Sequence, residues 1–438
     1  MVIFQNIWWL LVLIGVMILI HELGHYWAAR FFDVKIEAFS FGFGPRLFGF
    51  RRGETDFRFS LILFGGYVKM AGEQPGDETN DPRSFTAKPR WQRLIIAFAG
   101  PAMNVVLAVA LVTGLYMVRY PKMPASEREA IVGHVVPDSP AAKAGIREGD
   151  EIVRMDGIPA PTWEDVFIRE ISNAGNPIPL VLNRGGRQIR VTVTPILDER
   201  TGVGFAGWSE QSEIQVSGYV PGVNAARNAG LIRGDILLAI NGQPIRSSHK
   251  LNEVLTASAG KPVEILYSRN GVRHKTAVQP EKSTVTGEER WMIGVQLEPR
   301  LIMTRLSFPE ALRESIGRNL KSATLIYKFL QGIVERRMSA KSLEGPIRIA
   351  QLSGEAAREG PEAFIGLMAM VSLNLAIFNL LPIPILDGGV ILLLLIEMLM
   401  RRDLSLQVKE TVFKLGFVFL MAVVMFVLYN DISKILPG

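Results

Sequence analysis

Apolar runs of membrane length near both ends of the chain constrain its fold more than any other feature. The first run, Ile7–Ile20, has fourteen apolar residues, and the second, Leu94–Val118, has twenty-five residues without a charge. A helix needs only about 20 apolar residues to cross a bilayer. Two more runs begin near Ala363 and at about Val412. The sequence therefore predicts a polytopic α-helical membrane protein with about four transmembrane helices.

Composition agrees with this prediction and narrows the class of function. Hydrophobic residues make up 48% of the 438, and the mean hydropathy is +0.23, which is high for a soluble chain. The net charge of +6 is small and scattered, so it does not indicate nucleic acid as a partner. The absence of cysteine excludes disulfides, thiol nucleophiles and Cys-ligated metal. The N-terminus lacks a basic n-region and an A-x-A site, so we expect no cleavable signal peptide.

The distribution of Lys and Arg predicts the orientation in the membrane. Eleven of these residues lie between Arg30 and Arg93, and the short link between the last two runs carries Arg401, Arg402 and Lys409. Short cytoplasmic loops are enriched in such residues. We therefore expect both loops in the cytoplasm, and both termini and residues 119–362 outside it.

Polar residues end the first apolar run, where the sequence reads HELGH at 21–25. Residues i and i+4 share a helix face, so His21 and His25 can hold one metal ion, with Glu22 beside them as a proton acceptor. This is the H-E-x-x-H arrangement of zinc proteases. The pentapeptide also occurs by chance, but ionisable residues in a membrane span are rarely kept without a function.

A third metal ligand is needed, because a catalytic zinc usually has three protein ligands. The metzincin extension is absent, since Ala28 and Phe31 stand at its positions, and the three remaining histidines lie in the external region. Two carboxylates qualify by location, Asp387 and Glu397. Glu397 comes just before Arg401, and we expect it to face the membrane interface.

Membrane depth favours Asp387 as the third ligand. At about 1.5 Å per residue, His21 lies ~24 Å from the outer face and Leu381 ~28 Å from it. Pro382 and Pro384 then break the helix, so that Asp387 lies in irregular backbone at the level of HELGH. Such backbone is tolerated at that depth only inside protein or beside a wet cavity. The alternative is a loop that emerges into the cytoplasm with a solvated aspartate.

These motifs resemble those of a known family. HELGH in the first span and NLLPIPILDGG at 379–389 are similar to the HExxH and NxxPxxxxDG signatures of the site-2 proteases, which are intramembrane zinc metalloproteases. Other stretches resemble the bacterial regulator-of-sigma-E branch, namely FGFGP at 41–45, FGGYVKMAGE at 64–73, FAGPAMN at 98–104 and SLEGPI at 342–347.

The resemblance implies one Zn²⁺ per chain, held by His21, His25 and Asp387, with Glu22 as general base or acid. It also implies that Asn374, Asn379, Pro382 and Pro384 help to seat the substrate. The residues between the first two spans predict β-hairpins. An edge strand there can pair with an unwound substrate or merely brace the helices. The resemblance favours pairing, with Gly65, Gly66 and Tyr67 as substrate-binding candidates.

The implied function is hydrolysis of a peptide bond within transmembrane segments of single-span membrane proteins after their ectodomains have been trimmed. Substrates would be of the anti-sigma factor type or remnant signal peptides, in the lipid bilayer of the bacterial inner membrane, with the active site toward the cytosol. A catalytically inactive membrane scaffold is the main rival. The rhomboid-type G-x-S-G motif is absent.

Residues 119–300 contain an internal repeat. GIREGDEIVRMDGIP at 145–159 aligns without gaps to GLIRGDILLAINGQP at 230–244. The repeats resemble tandem PDZ-like α/β domains, for which we expect a filtering or sensing role rather than a spacer role. Apolar residues recur every four positions from Phe308 to Leu320, which predicts an amphipathic helix. The predicted domains are 1–118 with the first two spans and the hairpin, 128–197 and 213–282 as PDZ-like domains, 300–362 as interfacial helices, and 363–438 with the last two spans and the LDG motif.

Overall fold

The computed structural model describes residues 2–73, 81–122, 129–198, 201–284, 289–300, 302–335, 338 and 345–435. The chain forms two compact units. The first contains residues 1–120, 305–327 and 343–438, and the second contains residues 121–304 and 328–342. Residue 128 of the first predicted PDZ-like domain and parts of the predicted segment 300–362 lie outside the described residues.

The first unit begins with a helix, a hairpin and a second helix. These elements are α1 (Val2–Phe31), β1 (Ile36–Arg52), β2 (Thr55–Met70) and α2 (Arg90–Val118). Strands β1 and β2 pair antiparallel, which confirms the predicted hairpin. Its base packs through Phe39 and Val68 onto Ala29 of α1. The end of α1 that carries HELGH therefore has one strand of the hairpin beside it.

The second unit contains most of the β-structure. Its elements, in chain order and starting at the unit boundary, are β3 (Tyr120–Lys122), β4 (Val132–Val135), α3 (Pro140–Lys143), β5 (Glu151–Met155), β6 (Ile158–Pro159), α4 (Trp163–Ser172), β7 (Ile178–Arg184), β8 (Arg187–Val193), β9 (Ile196–Leu197), β10 (Gly204–Phe205), β11 (Trp208–Glu210), β12 (Ile214–Tyr219), α5 (Ala225–Asn228), β13 (Ile236–Ile240), β14 (Gln243–Pro244), α6 (Ser248–Ser258), β15 (Val263–Arg269), β16 (Val272–Val278), β17 (Glu281–Ser283), β18 (Arg290–Met292), β19 (Val295–Pro299) and β20 (Ile302–Thr304).

The internal repeat is longer in the structure than in the sequence alignment. The six elements from α3 to β8 have counterparts in the elements from α5 to β16. Each element of the first copy begins 85 residues before its counterpart; β5, for example, begins at Glu151 and β13 at Ile236 (236 − 151 = 85). One ion pair repeats at the same offset. Buried Asp150 lies 2.7 Å from Arg184, and buried Asp235 lies 2.8 Å from Arg269. The two copies therefore share a fold and one ion pair between a buried aspartate and a partly exposed arginine.

The hydrophobic core of each copy includes residues that lie beyond the predicted C-terminal boundary of that copy. Ala206 and Trp208 belong to the core of the first copy, because β11 pairs with β4 at its start. Ile293 belongs to the core of the second copy, whose strand β12 pairs with β19. The first copy therefore extends past residue 197 and the second past residue 282.

Five helices follow, and all of their residues belong to the first unit except residues 328–334 at the end of the first of them. They are α7 (Phe308–Val334), α8 (Pro346–Glu359), α9 (Pro361–Asn379), α10 (Asp387–Met400) and α11 (Leu406–Ile435). Of the described helices, α1, α2, α9 and α11 are long and apolar enough to cross a membrane, as predicted. Helix α10 has 14 residues, too few to span, and it occupies much of the stretch for which the sequence predicts only a short link between the last two spans. Helix α2 packs against α1, α9 and α10, so it is the central helix of this unit.

Candidate active site

His21 and His25 lie one helical turn apart on α1 and face the interior of the first unit. They are only 7% and 9% exposed, and their Nε2 atoms are 3.2 Å apart. Spacing i, i+4 on a regular helix produces this arrangement without help from any other element. The pair thus presents two nitrogen ligands from one face of one helix.

Asp387 is the first residue of α10, so the prediction that it lies in irregular backbone is wrong by one residue, and the loop before it fixes its position. Gly388 and Gly389 have no side chain where the loop folds back, and a Cβ there would lie 2.2 Å from Leu381 O and 2.4 Å from Ile383 O, respectively. Ile385 has φ of 87°, an unusual value for a β-branched residue that marks backbone strain. The prolines and glycines of this stretch therefore hold Asp387 at a sharp turn into α10.

The three side chains fit a tetrahedral zinc site. Asp387 Oδ2 lies 3.1 Å from His21 Nε2, and Asp387 Oδ1 lies 3.4 Å from His25 Nε2. Bonds of about 2.0–2.1 Å in a tetrahedron place ligand atoms ~3.3–3.4 Å apart. Oδ2 of Asp387 is buried without a hydrogen-bond partner, although His21 is near. In a metal site, ligand atoms such as Asp387 Oδ2 and His21 Nε2 lie close together and bond to the metal rather than to each other.

Hydrogen bonds from α2 orient both imidazoles. Nδ1 of His25 donates to Ile96 O at 2.8 Å, since a carbonyl can only accept. This leaves the lone pair of His25 on Nε2, toward Asp387. Nδ1 of His21 lies 3.3 Å from the side-chain amide nitrogen of Asn104, which is fully buried. Metal-bound histidines usually donate their second ring N–H to an acceptor, as Nδ1 of His25 does to Ile96 O.

Two glycines let α1 and α2 approach closely enough for these contacts. A Cβ on Gly24 would lie 2.3 Å from Ala99 O, and one on Gly100 would lie 2.3 Å from Nε2 of His25. Sequence reasoning did not identify Gly100 as a site residue. The only signal is FAGPAMN, a stretch quoted above for its resemblance alone.

Gly100→Ala is expected to displace both imidazoles and to lower zinc affinity by about 100-fold, the upper range for changes just outside the ligand shell. The added Cβ would also lie 2.9 Å from Cε1 of His21. Gly114→Ala is the matched control, because that position of the same helix has open space. Zinc content after dialysis against a graded chelator series measures the effect. Equal zinc retention in the two variants would contradict the packing argument.

A cavity of about 1190 Å³ adjoins the three ligand atoms. Glu22, Tyr67, Val68 and Asn379 lie on its wall. The backbone of β2 runs beside Glu22, because a Cβ on Gly66 would lie 3.4 Å from Cγ of Glu22. The cavity therefore brings together the predicted base, the predicted ligands and one strand of the hairpin.

Not all predicted substrate-binding residues reach this cavity. Among the described residues that line it, Tyr67 and Asn379 are present, whereas Gly65, Gly66, Asn374, Pro382 and Pro384 are not. Gly65 instead packs under the ring of Phe43, and Pro384 packs against Gly416 of α11. These residues shape the backbone around the cavity, and their part in substrate binding stays a prediction.

Glu397 does not face the membrane interface, so that expectation is wrong. It is 1% exposed, and its carboxylate lies 2.7 Å from Lys409 Nζ and 3.7 Å from Arg93. It also accepts from the backbone N–H of Leu404 at 2.9 Å. These partners draw the carboxylate into the protein, where it links α2, α10 and the start of α11.

Comparison with known proteins supports the same chemistry. The profile of peptidase family M50 matches residues 9–423. A candidate zinc metalloprotease from Neisseria meningitidis is 30% identical over 440 residues, covering 96% of this chain and 97% of the relative. The regulator of sigma-E protease RseP from Salmonella typhimurium is 29% identical over 458 residues, covering 97% of this chain and 98% of the relative.

A candidate zinc metalloprotease from Treponema pallidum is 32% identical over 453 residues, covering 96% of this chain and 97% of the relative. Among solved structures, the PDZ domain of an SdrC-like protein from Listeria monocytogenes is 21% identical, covering 20% of this chain and 90% of that chain, with a TM-score of 0.18. That score is too low for the structural likeness to support a conclusion. The match of the family profile to nearly the whole sequence, together with these relatives, shows that the chain belongs to peptidase family M50, the zinc metalloproteases of site-2 type.

Proposed function

We propose that this membrane protease hydrolyses a peptide bond within transmembrane segments of single-span membrane proteins, using one zinc ion held by His21, His25 and Asp387. The observation that carries the proposal is the convergence of the three side chains beside a cavity in the helical unit: the two Nε2 atoms lie 3.2 Å apart, and the two carboxylate oxygens of Asp387 lie 3.1 Å from one and 3.4 Å from the other. The ligands come from α1 and α10, which the fold brings together across 362 residues (387 − 25 = 362). An inactive scaffold has no need for this convergence.

Zinc supplies Lewis acidity to the attacking water and to the scissile carbonyl when it is bound. Glu22 lies on the cavity wall and outside the ligand set, so its carboxylate is free to accept the proton of the attacking water. The same carboxylate then gives the proton to the leaving amine. Contacts with Ile96 and Asn104 of α2 fix the ring orientations of buried His21 and His25. The ligand set therefore does not need to rearrange during the reaction.

The substrate must be extended at the scissile bond, because a helix hides its carbonyls in backbone hydrogen bonds. In the described chain, β1 and β2 form a sheet of two strands. Tyr67 and Val68 of β2 line the cavity. An unwound segment added to β2 beside Glu22 would gain backbone hydrogen bonds in place of those lost. We assign this role to β2 near Gly66.

We assign the protein to the bacterial inner membrane, and its charge pattern favours one orientation there. The eleven Lys and Arg residues from Arg30 to Arg93 favour a cytoplasmic position for the hairpin. Both termini and the two repeats then face away from the cytoplasm, and HELGH lies toward the cytosolic side. The lipid bilayer and single-span proteins, such as anti-sigma factors and signal-peptide remnants, are the expected partners.

The two repeats share the compartment of a substrate's ectodomain in this topology. We interpret them as PDZ-like domains that exclude substrates with a large ectodomain, because exclusion needs only bulk. Capture of a newly made C-terminus is the alternative, since an extended chain can bind at a strand edge.

Deletion of residues 129–300 is expected to permit cleavage of an untrimmed substrate that the intact protein spares. Both repeat cores are removed whole, because they extend from Ala130 to Ile293 and β19 ends at Pro299. Trimmed and untrimmed forms of one single-span substrate are reconstituted with each protease in liposomes, and Glu22→Gln serves as the blank. Slower cleavage of the trimmed form alone would favour capture, and unchanged rates on both would contradict both roles.

A further inference from the structure

Asn104 is the only described side chain that contacts the outer ring nitrogen of His21. It lies on α2, is fully buried, and comes from the part of that helix next to Gly100. Its main-chain carbonyl accepts from Ser372 Oγ of α9 at 2.9 Å, so the residue is held between two helices. Its side-chain Oδ1 is buried without a hydrogen-bond partner. A buried amide oxygen without a partner is costly and calls for an explanation.

The observed orientation of the amide suits the site without metal. Nδ2 of Asn104 lies 3.3 Å from Nδ1 of His21, and Nε2 of His21 lies 3.2 Å from Nε2 of His25. Because His25 carries its proton on Nδ1 toward Ile96 O, its Nε2 can only accept. A neutral His21 with its proton on Nε2 then accepts from Asn104 at Nδ1, and its Nε2–H faces two acceptors, Nε2 of His25 and Oδ2 of Asp387 at 3.1 Å. The contact between Asn104 and His21 therefore has one donor and one acceptor in the absence of metal.

Metal binding reverses these roles. Ligation through Nε2 requires a lone pair there, so the ring proton of neutral His21 must be on Nδ1. The amide nitrogen cannot accept that proton, whereas Oδ1 can. A half-turn of the amide about Cβ–Cγ exchanges the two atoms in place, because they are nearly the same size. The same half-turn gives the unpartnered Oδ1 a donor.

We propose that Asn104 is a positioning residue that accepts a hydrogen bond from Nδ1–H of His21 in the loaded site and thereby holds the Nε2 lone pair on the metal. Asparagine serves both states because it offers a donor and an acceptor at one point. The inference rests on the proposed ligand role of His21. A side chain that can only accept a hydrogen bond should favour the zinc-loaded site. An apolar side chain should favour neither the zinc-loaded nor the metal-free site.

Substitution of Asn104 separates this role from space filling. Asn104→Leu, of similar size but without an acceptor, is expected to weaken zinc binding by about 10- to 100-fold, the usual effect of losing a partner of a metal-bound histidine. Asn104→Asp retains the acceptor and is expected to bind zinc at least as tightly as the unmodified protein. Thr113→Val is the matched control, because Thr113 is buried in the same helix and donates only to Val109 O. It should leave zinc affinity unchanged.

Zinc affinity is measured by chelator competition on the full chain in detergent, and the unfolding temperature of each metal-free variant is recorded beside it. The proposal is supported if Asn104→Asp binds zinc at least as tightly as the unmodified protein and Asn104→Leu binds it more weakly. Equal affinity in Asn104→Leu and the unmodified protein overturns it, as does equal weakening by Leu and Asp. If Asn104→Leu fails to fold, Asn104→Ala takes its place in the same comparison. Absence of zinc binding by the unmodified protein would instead contradict the proposed function itself.

Discussion

Glu22→Gln is expected to lower the cleavage rate by about 10²–10⁴-fold, the usual contribution of general acid–base catalysis, and to leave zinc content unchanged. The physical reason is that Glu22 lies on the cavity wall but outside the set of ligand atoms. Glutamine has nearly the same shape, so the packing of β2 near Gly66 should not change. It cannot accept the proton of water.

The rate is measured on a purified single-span substrate in liposomes, and zinc by elemental mass spectrometry on the same preparation. Glu410→Gln is the matched control, because Glu410 lines the same cavity on α11 and is absent from the ligand set. It should keep most of the activity. Loss of zinc in Glu22→Gln would show that Glu22 is a ligand and that the assigned role is incorrect.

Asp387→Ala is expected to abolish both zinc retention and cleavage. The change leaves two protein ligands, one fewer than catalytic zinc sites normally have. It also removes the only carboxylate among the described residues within ligand distance of both histidines. Zinc occupancy is measured after purification at a fixed free zinc concentration.

Glu397→Gln is the comparison variant for Asp387→Ala, because Glu397 is a second carboxylate on the same helix, α10, and is the more deeply buried of the two, with a side chain 1% exposed against 21% for Asp387. We expect it to retain zinc and to lower the unfolding temperature, since the buried negative charge that faces Lys409 and Arg93 is lost, while Asp403 still pairs with Arg93. If Glu397→Gln lost zinc and Asp387→Ala retained it, the ligand assignment would be wrong.

The sequence predicts features that depend on local spacing. His21 and His25 meet because four residues make about one helical turn, and the four spanning helices follow from the length of each apolar run. Asp387 could be selected over Glu397 because Pro382 and Pro384 end a helix at a calculable depth. Each of these features depends only on neighbouring residues or on the thickness of a bilayer.

Features that depend on contact between distant segments could not be predicted in this way. Gly100 and Asn104 belong to the site only because α2 crosses α1 at Gly24, and no local pattern specifies that crossing. The burial of Glu397 depends on Lys409, which lies on the next helix. Trp208 belongs to the first repeat through pairing of β11 with β4, more than 70 residues earlier (208 − 135 = 73). Long-range pairing of this kind leaves no periodic signal in the sequence.

The central claim is that the ligand set formed by α1 and α10 supports cleavage inside a membrane segment. The most direct measurement is the identification, by mass spectrometry, of the bond cut in a single-span substrate embedded in liposomes with the purified protein. The account predicts a cut within the apolar segment of the substrate, lost on zinc chelation and in Glu22→Gln. A cut confined to residues outside that segment, or one that persists in Glu22→Gln, would contradict it.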